Sequence, residues 1–181
     1  MPRTRAQDLI LEVLRNADGE WTGKAKLFKT FYFAHLYYAN QHPGLLTDWP
    51  IARLPQGPGI DRSQELFAGM VQDGLLTIEL VHEGPYPDYR FRLTDKGRAV
   101  PPPPEDARAA IKEATLFCSA RTAAELSQIT HERSRSWIAG KDGDVLNIYI
   151  DTIPDDEYEK RRAEIEQLDQ QLSAVLEGPS A

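Results

Sequence analysis

The sequence predicts a mainly α-helical domain with a small β-hairpin, an α+β chain. Three observations carry this. Apolar residues recur at helical spacing in several segments, two β-rich runs flank a turn-rich loop, and prolines and glycines gather in short stretches between the helices.

The first helix opens at Thr4, whose capping box closes with Gln7. Ala6, Leu9, Ile10, Val13, Leu14 and Ala17 follow at helical spacing, and Gly19 is the expected stop. A second helix runs from after Thr22 to about Asn40. Leu27, Phe31, Ala34 and Tyr38 form its buried stripe, widened by Phe28, Tyr32, Phe33 and Tyr37. Lys24, Lys26 and Lys29 lie in its first half, where cations oppose the helix dipole; a solvated face is expected for them. Between residues 41 and 60 four prolines and three glycines exclude a long regular element, and Pro55-Gln56-Gly57-Pro58-Gly59 reads as a compound turn. Asp61 is the expected cap of a third helix ending near Gly74, with Leu66, Phe67, Met70 and Val71 inward.

Leu75–Val81 and Tyr89–Leu93 read as two strands joined by a loose loop. With the helix before them they look like the helix-then-wing half of a winged helix-turn-helix. Pro101–Pro104 is a four-proline spacer in extended conformation. A helix follows over about Glu105–Ser119, and Thr122 with Glu125 makes a capping box that opens another over Ala123–Thr130. Val145–Ile150 is β-rich. A final helix starts at Pro154-Asp155, with Tyr158, Ile165, Leu168, Leu172 and Val175 at coiled-coil-like spacing, and Gly178–Ala181 ends as a frayed tail. The expected organisation is a single domain over 1–150, with the proline spacer inside it, and an acidic C-terminal helix and tail over 151–181.

Composition narrows the function classes. With 41% hydrophobic and 27% charged residues, wholesale disorder is excluded. The single cysteine, Cys118, forbids an intramolecular disulfide and fits a reducing compartment. No stretch is apolar enough for a membrane span, and the polar start does not read as a cleaved signal, so a cytoplasmic location without a membrane partner is expected. Residues 1–150 carry 18 Lys+Arg against 19 Asp+Glu, and residues 151–181 carry 3 against 9. The last 31 residues therefore hold −6 of the net −7. A near-neutral body with an acidic arm is a poor general ligand for phosphate and a natural contact for a basic protein.

No motif supports catalysis. Cys118 follows an apolar run and reads as a buried, inert thiol. There is no Gly-x-Ser-x-Gly elbow, and His35, His42, His82 and His131 lack zinc-like spacing, so neither cofactor nor metal is expected. The helix before the wing offers Arg62 as its only cation, against Asp61, Glu65 and Asp73, with Gln64 and Gln72 as its amides. Base reading asks for more. Arg90 and Arg92 of the wing, with Lys96 and Arg98 beyond, are the residues left to hold phosphate.

Two stretches resemble the Panacea (SocA-like) antitoxin domain. Gly23-Lys24-Ala25-Lys26-Leu27-Phe28-Lys29-Thr30-Phe31-Tyr32-Phe33-Ala34 is similar to that family's lysine-bearing aromatic helix, and Gln56-Gly57-Pro58 falls where it carries a Gly-Pro turn. Ser119 to Glu132 is similar to its second signature, a capped short helix ending in a histidine, here His131, with Trp137 soon after. The segment before the Gly-Pro turn, Thr47 to Pro55, departs from the family's more acidic or tryptophan-rich form, and the wing is longer. The resemblance spans about residues 5–150. It implies a mostly helical, non-enzymatic protein that neutralises a cognate toxin of a bacterial or phage toxin–antitoxin pair by direct binding. A winged-helix regulator binding operator DNA and a protease adaptor are the alternatives. Gly57, Pro58, His131 and Trp137 are expected to be structural, with His131 capping the short helix and Trp137 filling space beneath it. Lys26, Lys29 and Tyr32 on the aromatic helix, and Glu157, Glu164, Glu166 and Asp169 on the last helix, are the candidate partner contacts. Tyr32 is the expected half-wet anchor, and the last helix's apolar stripe is expected to dock on the body or on the toxin.

Overall fold

The structure is a computed structural model that describes residues 4–177, with side chains through residue 173. The tail at Gly178–Ala181 lies outside the described residues. In chain order the elements are α1 (Ala6–Asn16), β1 (Glu20–Thr22), α2 (Lys24–Ala39), β2 (Ile51–Leu54), β3 (Gly57–Ile60), α3 (Ser63–Gln72), β4 (Leu76–Val81), β5 (Asp88–Leu93), α4 (Asp95–Ala99), α5 (Glu105–Ser119), α6 (Ala123–Arg133), α7 (Arg135–Ala139), a 3-10 turn (Ile148–Thr152) and α8 (Asp155–Glu177). The chain is mixed α+β and mainly helical, with two small antiparallel sheets.

α2 is the centre. Leu27, Phe31, Ala34 and His35 are fully or almost fully buried, and α5 lies along the helix. Phe117 of α5 meets Phe33 edge-on at 4.9 Å between ring centres. α1 packs on the other flank of α5 and contributes Leu9, Ile10, Leu11, Val13 and Leu14 to the same core. That core runs from Ala6 to Ile148 without a break at the prolines, so the spacer joins two helices of one body.

Four local expectations are corrected. α1 is capped one residue later, at Arg5, whose N–H points at Asp8 Oδ2 (3.4 Å) while its guanidinium holds the same carboxylate. A carboxylate gains more than the Gln7 amide would at the positive end of the helix. α3 is capped by Arg62 in a left-handed conformation (φ 44°), not by Asp61. Asp61 is held back because its N–H donates to Pro50 O (3.1 Å) and its carbonyl accepts from Trp49 Nε1 (2.7 Å). Val71 faces outward at 44% exposure. Tyr38, placed in the core from its spacing, is half-buried, with its hydroxyl near Asp106.

The larger sheet has the order β1-β5-β4, with Phe91 of β5 facing Trp21 on one side and Ile78 on the other. β1 is only three residues long and is invisible to periodicity. The compound turn is in fact a hairpin. Pro55-Gln56 turns β2 into β3, with Ile51 opposite Ile60 and Leu54 opposite Gly57. The β-rich run after it pairs only at its start, where Val145 bridges Ala52 and Leu146 N–H donates to Ile51 O (2.7 Å). The chain then coils into the 3-10 turn, which buries Ile148.

Candidate functional site

The residues of the two signature stretches meet on the β2–β3 hairpin. Lys29 projects from α2, is 2% exposed, and donates from Nζ to Gln56 O (2.5 Å) and Pro58 O (3.1 Å). Burial pushes its ammonium down to about 7. Gly57 lies between these two acceptors with φ +104°, and a Cβ there would collide with Lys29 Nζ and Thr130 Oγ1. Glycine is thus required for the backbone conformation and for the close approach of both side chains. From the opposite side, Trp137 Nε1 donates to Leu54 O (2.8 Å), and Arg53 Nε donates to Trp137 O (2.9 Å) with its guanidinium 4.1 Å from the indole centre. His131 stacks on the same indole at 4.0 Å and 9°. His131 therefore does not cap its helix. Its Nε2 is buried and has no hydrogen-bond partner, and its role is the ring stack.

A second polar cluster closes beside the first. Asp151, at the end of the 3-10 turn, accepts from Tyr32 OH (2.8 Å), Ser134 Oγ (3.0 Å), Ser136 N–H (2.8 Å) and Ser136 Oγ (2.6 Å). Burial first, and the Asp151 charge second, raise the Tyr32 phenol, so it stays a donor. Arg135 completes the closure by donating to Ile150 O and Ile153 O, pairing with Asp155, and covering the Tyr158 ring at 4.2 Å. A cavity of about 530 Å³, lined by both polar and apolar side chains, lies over this cluster, between α2, α6, α7 and the 3-10 turn.

Two candidate contacts are therefore corrected. Tyr32 is 2% exposed and Lys29 equally buried, so neither is a surface anchor. Each is drawn inward by a partner far away in sequence. Lys26 is half-buried, and its Nζ reaches Ser119 O (3.3 Å) at the C-terminus of α5, where a cation is favoured. The boundary at residue 150 also moves, because Asp151 belongs to the body and the arm starts at Asp155. Sequence reasoning missed Asp151, Ser134 and Ser136. Asp151 opens an acidic stretch and reads there as one more solvated charge, and only the Ser134 cap of α7 (Trp137 N–H to Ser134 Oγ) had a local signature.

The arm behaves differently. Glu157, Glu164, Glu166 and Asp169 are all exposed, as is every residue from Glu159 to Ser173. Ile165 (58%), Leu168 (56%) and Leu172 (59%) are open to solvent, so the apolar stripe is not docked on the body over this stretch; the Val175 side chain lies outside the described residues.

The wing arginines are occupied. Arg92 pairs with Glu20 (2.6 Å) and Glu79 (2.8 Å), and Arg90 with Glu20 (3.2 Å) and Glu83. Cys118 is buried, and its thiol is pushed up to about 11 by burial. Among the described residues no three His, Cys, Asp or Glu side chains are grouped to hold a metal, and no helix is long and apolar enough to cross a membrane. Comparison with protein-family models, with curated proteins and with solved structures finds no match to this chain.

Proposed function

We propose that this chain is an antitoxin of the Panacea (SocA-like) kind, which neutralises a cognate toxin protein by direct binding through the acidic arm α8. One observation carries the mechanism: the arm leaves a well-packed body at Asp155 and presents Glu157, Glu164, Glu166 and Asp169 to solvent. Many toxins that act on RNA carry basic clefts, and an acidic rod associates with such a surface quickly and salt-sensitively. The family reading draws support from the hairpin, where Lys29, Gly57, Pro58, His131 and Trp137 each have a physical task. The test is co-expression with the toxin encoded beside it, comparing the full chain with a truncation after Tyr158 that keeps Asp151 and Asp155. The truncation is expected to melt like the full chain and to lose both toxin capture and growth rescue. Unchanged capture would end the arm mechanism.

One observation favours the regulator reading. α1, β1, α2, α3, β4 and β5, with strand order β1-β5-β4, follow a winged-helix arrangement with the β2–β3 hairpin inserted. Its charges run the other way. The outer face of α3 shows Gln64, Glu65, Ala68, Val71 and Gln72, without a cation, and the wing arginines are neutralised. A gel shift on upstream DNA, lost with Arg90→Ala and Arg92→Ala together, would restore this reading.

A further inference from the structure

We infer that the apolar stripe of α8 is covered by α8 of a second copy, in an antiparallel pair. Tyr158, Ile165 and Leu172 repeat every seven residues and occupy the a positions of a heptad. Arg161 and Leu168 then occupy d. The stripe is open over the arm: Ile165, Leu168 and Leu172 are each more than half exposed, and the helix continues to Glu177. Such a seam, with no body beneath it from Glu159 to Ser173, is the geometry of a coiled-coil strand rather than of a core helix.

The charges choose the occupant and its direction. In a parallel pair each d position faces its own copy, so Arg161 would meet Arg161 inside the seam. Glu164 at g would also face Asp169 at e of the other chain, two like charges together. The antiparallel arrangement removes both faults. There a faces d, so Ile165 packs on Leu168 twice at the centre, and Arg161 lays its aliphatic stem along Leu172 with its head in water. The e positions face each other, which sets Arg162 opposite Asp169 on both sides of the two-fold axis. A cation early in the helix and an anion later make α8 complementary to its own reverse. In the single chain Arg162 turns to Glu166 (3.0 Å) and Arg161 to Glu157 within the same helix, both exposed contacts that pairing can exchange at little cost. Glu159 and Glu166 fall at b, outside the seam. The dimer therefore keeps an acidic outer face, and the pairing stands whether or not the partner of that face is a toxin.

The experiment uses the full chain alone, by sedimentation equilibrium up to about 0.1 mM, a range that registers the weak pairing expected of a short coiled coil. The expected result is a dimer that Leu168→Glu converts to monomer without moving the melting of the body. Arg162→Glu should weaken it at least tenfold, and adding Asp169→Arg should restore it. Direction is read by oxidation on a non-reducing gel. An Ile165→Cys, Leu168→Cys double variant should become a covalent dimer, whereas Leu168→Cys alone should not, because its sulfur faces Ile165. A monomer throughout the range, a dimer indifferent to Leu168→Glu, or a disulfide formed by Leu168→Cys alone would each overturn the proposal, as would an arm that is covered only when a different protein is bound.

Discussion

α2 and α8 both carry an apolar stripe at helical spacing, and they have opposite fates. α2 widens its stripe with aromatic rings, is wrapped by α5, α6 and β3, and buries polar residues as well, Lys29, Thr30, Tyr32 and His35. α8 has a single narrow row of aliphatic residues between charges, and past Tyr158, which Arg135 covers, it is exposed through Ser173. The difference lies in the width of the apolar face. A helix apolar over most of its circumference must be central, whereas a seam one residue wide is satisfied by one other helix. Four polar residues of α2, Lys29, Thr30, Tyr32 and His35, are consequently buried and paired, whereas the polar residues of α8 from Glu159 to Ser173 are solvated.

Substitutions can break or sharpen that contrast. The largest effect belongs to Phe31→Ala, which empties a fully buried site and is expected to cost about 3–5 kcal/mol in urea unfolding. Gly57→Ala comes next. It forces alanine into φ +104° against Lys29 and Thr130, for a loss of at least about 2 kcal/mol. Tyr32→Phe keeps the ring but removes one donor from Asp151, and about 1–2 kcal/mol should be lost. If it proves neutral, the Asp151 cluster does not hold the 3-10 turn to α2.

The pH profile should also belong to α2. His35 is buried between Phe31 O, which takes its Nδ1–H (2.8 Å), and the Thr47 hydroxyl and N–H, both directed at Nε2. Burial pushes its imidazole down to about 4. The unfolded chain binds this proton near pH 6.5 and the folded chain does not, so stability is full above 6.5 and falls as the pH drops towards 4, by about 3 kcal/mol. Lys29 works in the same sense at higher pH. Unfolded it keeps its proton to about 10.5, folded only to about 7, so stability rises between those values. Urea midpoints across pH 4–10 should climb on both limbs, with Lys29→Met flattening the upper one. On α8, Glu164→Lys with Glu166→Lys should change stability by less than about 0.5 kcal/mol while weakening partner capture. A large stability loss there would mean that the arm is part of the body.

The helices were legible because helical order is local. The capping box at Thr122 and Glu125, the stripe of α2 through Leu27, Phe31 and Ala34, and the span of α5 depend on residues three or four apart, and they stand in the structure. The β4–β5 hairpin was equally readable from its two β-rich runs and the loop between them. What only the tertiary structure decided is where the polar groups go. Lys29 finds its acceptors 27 and 29 residues away, Tyr32 its carboxylate 119 residues away, and β1 exists only because β5 offers an edge to three residues. A lysine on a helix is solvated by default, and burying it costs free energy that only a particular pair of carbonyls can offset. That pairing is a property of the packed chain and leaves no periodic trace in the sequence.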